Sequence, residues 1–395
     1  MNSKSTAPLD LVSATTLVAA SMIGVGVYTT SGYTMGALGN AWLVIAAWLV
    51  GGLIAICGAF GYASLASRFT QSGGEYLFLS RTWHPAVGLM AGWVSLLAGF
   101  TGAIAAAALG LEEYLKPVFA DVDVPAGSIA VACVLIASGL HTIGVRGAAR
   151  VQDAIVVFKM LMILAVILLA ATSLGSWAMF DNSSAFARPT GDDLDLLTFA
   201  NQLVYISFSY LGFNAAIYVA GEIREPEKNV PRAMIAGTVL VTALYVVLNA
   251  IFVLAPETAS IVDPQNQAQI AAVAASAVGG EGFATFVRAV IVISLFTSVS
   301  ALVMTGPRVY AKMADDGFFP KLFCFEGAPP VRAIWFQAIL AIVAISMTSL
   351  QNLLGYLGLT LSLCSALTVS MVFVVKRRGD SIWMPAGGIA AVIYV

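Results

Sequence analysis

Charge is what this sequence has least of. Of its 395 residues only 10% are Asp, Glu, Lys or Arg, and only two are histidines. Apolar residues make up 59% of the chain, and the mean hydropathy is +0.91. Because a soluble domain carries about a quarter charged residues, this composition excludes a soluble globular fold. It predicts an all-α polytopic membrane protein whose helices cross the bilayer with about 20 apolar residues each.

The sequence also lacks the motifs of catalysis and metal binding. It contains no His-Glu-x-x-His motif, no nucleophile elbow and no phosphate loop, so we do not expect an enzyme. The four cysteines have no spacing typical of a metal site or a disulfide framework. We therefore expect no metal, no cofactor and no nucleic-acid partner, and we expect the lipid bilayer to be the surrounding medium.

Apolar runs divide the chain into ten spans within a single transmembrane domain, 1–395. An eleventh run begins near Ser381 and reaches Val395 with too few residues to span comfortably, so we expect a chain truncated in helix 11. The predicted spans are 11–35, 41–66, 86–111, 126–143, 153–174, 196–220, 233–255, 284–307, 332–350 and 353–375.

The basic residues predict the orientation of these spans. Cytoplasmic loops of membrane proteins carry an excess of Lys and Arg. With the N-terminus inside, only Lys116, Arg188 and Arg288 fall in outer loops, and Lys159 falls within a span. All other Lys and Arg residues then lie inside. The pattern predicts a multi-pass protein of the plasma membrane with a cytoplasmic N-terminus.

The first span contains a sequence that is unsuited to an unbroken helix, Ser21-Met-Ile-Gly-Val-Gly-Val-Tyr28. Gly24 and Gly26 each disfavour a helix by about 1 kcal/mol relative to alanine. An unwound turn at membrane depth is tolerated only where it is buried in protein or lines a cavity. We therefore predict a break that exposes backbone groups, with a helix N-terminus that attracts a carboxylate.

The sixth span repeats this feature at a matching place. Phe208-Ser-Tyr-Leu-Gly-Phe-Asn214 places a glycine and an asparagine at mid-membrane beside aromatic residues. Spans 1 to 5 start inside and spans 6 to 10 start outside, so two halves, about 11–174 and 196–375, have opposite topology. Matching interruptions in inverted halves are the best sequence indicator of a transporter's binding site.

Four stretches resemble the amino acid–polyamine–organocation (APC) superfamily of transporters. They are Ile23-Gly-Val-Gly-Val-Tyr28, Ser72-Gly-Gly-Glu-Tyr76, residues 208–232, and Gly306-Pro-Arg-Val-Tyr-Ala-Lys-Met-Ala-Asp-Asp-Gly-Phe-Phe-Pro320. They occur in the family's order, and the resemblance covers nearly the whole chain. It implies the leucine-transporter-type 5+5 inverted repeat, with broken helices 1 and 6 and alternating access to a central site.

The resemblance also implies which residues hold the substrate. A substrate carboxylate would meet the N–H groups of Val25 and Gly26. Its ammonium would meet carbonyls near the ends of the interrupted helices, while aromatic residues of span 6 would contribute to the side-chain wall. The substrate-binding residues implied in this way are Met22, Ile23, Gly24, Val25, Gly26, Phe208, Leu211, Gly212, Phe213 and Asn214.

Lys159 is a charged residue deep within the fifth span. A charge at this depth must be paired, face a cavity or reach the membrane surface. In some APC members a lysine here resembles a substitute for a sodium ion, beside carbonyls of the first helix and hydroxyls of the eighth. Lys159 and Ser298 are therefore predicted as a proton-carrier or cation-mimic pair, with a structural ammonium as the alternative.

The predicted substrate is an amino acid. Because spans 3, 8 and 10 carry no Asp or Glu at mid-membrane, neutral amino acids are favoured, with either proton coupling or exchange. A cationic amino acid or polyamine antiporter is the alternative within the same fold. A non-transporting receptor or channel is the alternative from another class, although no filter-like ring of polar groups is apparent. The sequence does not define the oligomeric state.

Overall fold

The computed structural model describes residues 9–71, 73–119, 121–143, 148–173, 175, 177, 195–324, 331–375 and 383–395. Within this part of the chain the secondary structure is helical, apart from one isolated bridge between Leu9 and Ile223. The chain is an all-helical protein of many apolar helices, as predicted for a polytopic membrane protein.

The described residues up to 177 form eight α-helices. A π-helical segment, Ser95–Gly102, joins α5 to α6. The helices are α1 (Leu11–Met22), α2 (Val25–Leu38), α3 (Ala41–Ala66), α4 (Gly74–Thr82), α5 (Pro85–Val94), α6 (Ala103–Leu115), α7 (Ser128–Ile143) and α8 (Ala148–Thr172).

Nine α-helices follow in the part of the chain described from residue 195 onwards. Gly280, with a φ of 74°, interrupts the helical geometry of α14. The helices are α9 (Leu196–Tyr210), α10 (Ala215–Tyr218), α11 (Pro226–Leu254), α12 (Thr258–Val262), α13 (Pro264–Gln267), α14 (Ile270–Asp315), α15 (Val331–Met347), α16 (Leu350–Val374) and α17 (Trp383–Tyr394).

By length and composition, five described helical stretches can each cross a membrane, and α1 with α2 makes a sixth if the bent pair is one span. Shorter apolar helices lie at 128–142, 158–172 and 331–347. The predicted second span agrees with α3 at both ends. α14 continues past the predicted eighth span, 284–307, to Asp315, and at the other end Gly280 interrupts its helical geometry close to the predicted start.

Short polar residues begin several of these helices by capping free backbone N–H groups. The Asn40 side chain accepts from the N–H of Trp42 at 2.9 Å, and that of Asp195 accepts from Leu197 at 3.1 Å. Gly39, with a φ of 63°, ends α2 in the left-handed conformation that glycine adopts without cost. The caps fix where α3 and α9 start relative to the helices that precede them.

Three aromatic rings form the centre of the core where α3, α9 and α11 meet. The ring centroids of Trp48, Tyr210 and Tyr245 lie 5.2 to 5.6 Å from one another, and all three side chains are buried. Such edge and tilted contacts stabilise beyond area burial alone. This cluster holds α9 against α3 and α11, beside the ends of α1 and α9.

Candidate functional site

The first interruption lies between α1 and α2. Ile23 and Gly24 have extended backbones, and the two helices are bent by 40° across them. No side chain caps the start of α2, so its first N–H groups have no partner within the helix. At the end of α1 the Tyr245 hydroxyl donates to the Met22 carbonyl at 2.7 Å. The turn thus presents backbone N–H groups that have no helical partner beside the Met22 carbonyl, which already accepts a hydrogen bond.

The second interruption lies between α9 and α10. α9 ends at Tyr210, Leu211 has an extended backbone, and Gly212 has a φ of 101°. A side chain at that φ would be strained, so glycine is required here. The chain resumes a helix only at Ala215, for a single turn. Residues 211–214 therefore form an unwound turn.

The two interruptions contact each other through their glycines. A Cβ atom at Gly212 would lie 2.7 Å from the carbonyl oxygen of Ser21, and one at Gly26 would lie 2.8 Å from Cα of Ser209. Neither position has room for a side chain. Backbone meets backbone at both points, so the end of each interrupted helix contacts the other.

Gly24 differs from these two glycines. A Cβ atom there would have no heavy atom within 4 Å, and the φ of −130° is available to other residues. Neither packing nor backbone conformation requires glycine at this position. The space beside Gly24 belongs to a cavity.

That cavity has a volume of about 740 Å³, within the range that holds small ligands. It extends from the two interruptions along α1 to Leu9 and Val12. Its other walls come from the π-helical segment, α10, α14 and α16. Predicted site residues that line it are Met22, Ile23, Gly24, Val25, Gly26, Lys159, Phe208, Leu211, Gly212, Asn214 and Ser298.

Phe213 is the one predicted site residue that does not line the cavity. Its ring is buried and packs edge-on against Tyr62, with the centroids 5.4 Å apart. A turn directs neighbouring side chains to different sides, and Phe213 points towards α3. The predicted contribution of this ring to the side-chain wall is not seen.

Lys159 reaches the first interruption from α8. Its side chain is 6% exposed, and its ammonium donates a hydrogen bond to the carbonyl of Ile23. Among the described residues it forms no salt bridge. Ser298 lines the same cavity, but its hydroxyl donates to the Ser294 carbonyl at 3.0 Å. The structure thus brings Lys159 to the predicted carbonyl and shows no hydrogen bond between Lys159 and Ser298.

Glu75 is the functional candidate that the sequence reasoning missed. It lies on α4, outside every predicted span, yet it lines the cavity and is only 5% exposed. The Ser72–Tyr76 motif indicates such a role in the sequence, because its carboxylate follows two glycines that permit close approach of the backbone to a neighbouring element. Only the folded chain shows that α4 turns back into the protein.

An all-helical membrane protein with a small-molecule cavity at paired helix interruptions has the construction of a solute transporter. The chain belongs to the amino acid permease family, whose model matches residues 9–395. The resemblance to the APC superfamily is thereby confirmed. Members of this family are transporters, so the expectation that the chain is not an enzyme is also confirmed.

Individual relatives are amino acid transporters. The human large neutral amino acids transporter small subunit 2 is 26% identical over 95% of this chain and 71% of its own length. The mouse Asc-type amino acid transporter 1 is 25% identical over 95% of this chain and 72% of its own. The serine/threonine exchanger SteT of Bacillus subtilis is 23% identical over 94% of this chain and 83% of its own.

Proposed function

We propose that this protein carries neutral amino acids across the plasma membrane by alternating access. The observation that supports this most strongly is the contact between two interrupted helices at one end of a 740 Å³ cavity. Each interruption offers backbone groups that an unbroken helix would use internally. A zwitterion can satisfy both kinds of group at once.

In the proposed binding mode the substrate carboxylate accepts hydrogen bonds from the N–H groups of Val25 and Gly26. The positive end of the α2 dipole adds to this attraction. The substrate ammonium donates to carbonyls near Met22, Phe208 and Leu211. The part common to all amino acids is thus bound by backbone, and the side chain extends into the rest of the cavity.

The proposed fold is the 5+5 inverted repeat, with helices 1 and 6 each made of two half-helices. α1 with α2 forms the first broken helix, and α9 with α10 forms the sixth. With the N-terminus in the cytoplasm, as the distribution of Lys and Arg predicts, the cavity extends towards the inner face of the membrane. The structure then corresponds to an inward-facing state.

Neutral substrates and exchange are favoured by the relatives. One relative is named as a transporter subunit for large neutral amino acids and another as an exchanger of serine and threonine. The direct test is uptake of labelled leucine and threonine into proteoliposomes containing the purified protein. We expect uptake into vesicles preloaded with neutral amino acid. No uptake with preloading, with a proton gradient or with both would overturn the proposal.

Lys159 is proposed to link the first interruption to protonation or to act as a fixed cation. Its hydrogen bond to Ile23 supports this role, because loss of the ammonium would free a carbonyl beside the substrate. We expect Lys159→Ala to remove any dependence of uptake on a proton gradient. Unchanged proton-dependent uptake by Lys159→Ala would overturn this role.

A cationic amino acid or polyamine antiporter is the second candidate, and Glu75 favours it. A carboxylate that lines the cavity can attract a cationic side chain. Thermal-shift measurements of the detergent-solubilised protein separate the two, because a ligand that binds the native state raises its stability. Stabilisation by arginine, lysine or agmatine, and not by neutral amino acids, would favour the second candidate.

A further inference from the structure

Two glycines place Glu75 in the wall of the cavity. Gly73 and Gly74 have φ values of 156° and 59°, both in the region that favours glycine. A Cβ atom at Gly74 would also lie 2.7 Å from the ring of Tyr218. The start of α4 therefore packs directly against α10, and Glu75, its second residue, faces the cavity.

The carboxylate of Glu75 is held by three neutral donors from two other regions. The hydroxyl of Tyr62 on α3 donates at 3.0 Å, and Asn214 and the hydroxyl of Tyr218 donate as well. Hydrogen bonds to an ionised acceptor are about twice as strong as neutral ones. Within the described residues no Lys or Arg forms a salt bridge with Glu75. Its negative charge is thus fixed in place without a paired positive charge.

The Glu75 carboxylate is connected to the second helix interruption. Asn214 donates directly to Glu75, and Asn214 is two residues from Gly212, which contacts the end of α1. Glu75 and both interruptions line the same cavity. A substrate whose backbone groups bind at the interruptions therefore extends its side chain into a space that Glu75 lines.

We propose that Glu75 is a specificity-determining residue that excludes amino acids with an acidic side chain. This inference rests on the proposed function. A second carboxylate in the same cavity would be repelled by Glu75, whereas neutral side chains would not. Two like charges about 10 Å apart, at an effective dielectric constant of about 20, repel strongly enough for about tenfold discrimination.

Three variants in proteoliposomes test the proposal. Glu75→Gln removes the charge and keeps the size and an acceptor for Tyr62 and Asn214. Glu75→Asp keeps the charge. Glu112→Gln is the matched control, because Glu112 is also buried (4% exposed) but does not line the cavity; it binds the N–H groups of Gly127 and Ala130 at the start of α7.

The readout is the ratio of labelled glutamate uptake to labelled leucine or threonine uptake. We expect this ratio to rise about tenfold or more in Glu75→Gln and to stay low in Glu75→Asp and Glu112→Gln. An unchanged ratio in Glu75→Gln, with neutral uptake intact, would overturn the proposal. A Glu75→Gln protein that is folded but transports neither substrate would also overturn it, because Glu75 would then be needed for transport as such. Failure of the unsubstituted protein to transport any amino acid would instead overturn the proposed function.

Discussion

The helices α1 and α2 differ sharply in burial, although both are apolar. Of the 12 residues of α1, only Ala14, Val18, Ala19 and Met22 are buried, and Val12 is 72% exposed. In α2 every residue from Val25 to Gly32 is buried. The cavity runs along α1 and stops where α2 begins. Among the described residues, the cavity thus follows the sparsely packed α1 and ends at the tightly packed α2.

Several contacts close the α2 side. Ser31 donates to the Asn249 side chain at 2.5 Å and accepts from the Trp48 indole at 2.7 Å. The Tyr114 hydroxyl donates to the Tyr28 carbonyl at 2.6 Å. A Cβ atom at Gly32 would lie 2.7 Å from the carbonyl carbon of Gln267 on α13. In an alternating-access cycle these contacts must separate when the opposite side closes.

The largest effect is expected at Gly26, where α2 meets α9. Gly26→Ala forces a methyl group against the backbone of Ser209, and overpacking of this kind costs about 1–3 kcal/mol. We expect a lower melting temperature in detergent and loss of transport. A Gly26→Ala protein as stable as the parent would show that this contact does not set the geometry of the site.

The buried network on the closed side is expected to contribute a similar or slightly smaller amount. Asn249→Ala leaves the Ser31 hydroxyl without its acceptor, and such losses cost about 1–3 kcal/mol. We expect faster hydrogen exchange along α2, measured by mass spectrometry. Asn229→Ala on the same helix is the control, because the half-buried Asn229 side chain donates to the local Arg224 carbonyl and not to α2. Equal exchange in both variants would contradict the role of the network.

A substitution at Gly24 tests substrate binding without disturbing the packing of the protein. Gly24→Ala places a methyl group in the cavity without touching any atom of the protein, so stability should change by less than about 1 kcal/mol. Apparent affinity for a neutral amino acid should fall about tenfold, because the methyl group occupies the proposed substrate position. The measurement is uptake against substrate concentration, together with the melting temperature. Unchanged affinity would place the substrate elsewhere in the cavity.

The smallest effect is expected at the exposed end of α1. The hydrogen bond from the Ser13 N–H lowers the pKa of the Asp10 carboxyl, which caps this helix. A lowered pKa means that the cap stabilises the folded state at neutral pH and is lost as the pH falls into the acidic range where Asp10 protonates. Hydrogen exchange in the first turn of α1 should rise at acidic pH. Asp10→Ala should remove that pH dependence, and Asp10→Asn should retain part of the capping.

The positions of the helices could be predicted because apolar run length determines what a bilayer accepts. The predicted break at Gly24–Gly26 lies next to the helix boundary, since α1 ends at Met22 and α2 starts at Val25, and Gly26 falls within α2. The structural reason for a glycine differs between these two positions, and this difference could not be predicted. Gly26 packs against Ser209, which lies 183 positions away in the chain, whereas Gly24 faces open space.

The positions of the Glu75 and Phe213 side chains could not be predicted from the sequence. Span prediction assigns Glu75 to a loop, since hydropathy does not report that α4 folds back against α10. Phe213 lies in the correct turn, but the direction of its ring depends on the torsion angles of that turn. The residues that lie in an interrupted segment can therefore be predicted, whereas the direction of each side chain within that segment cannot.

The paired interruptions are proposed to bind the charged groups common to all amino acids. The most direct measurement is competition against labelled leucine uptake by two analogues of leucine, one without the α-carboxylate and one without the α-amine. We predict that leucine competes and that neither analogue does at a hundredfold higher concentration. Competition by either analogue at a concentration similar to that of leucine would contradict the claim.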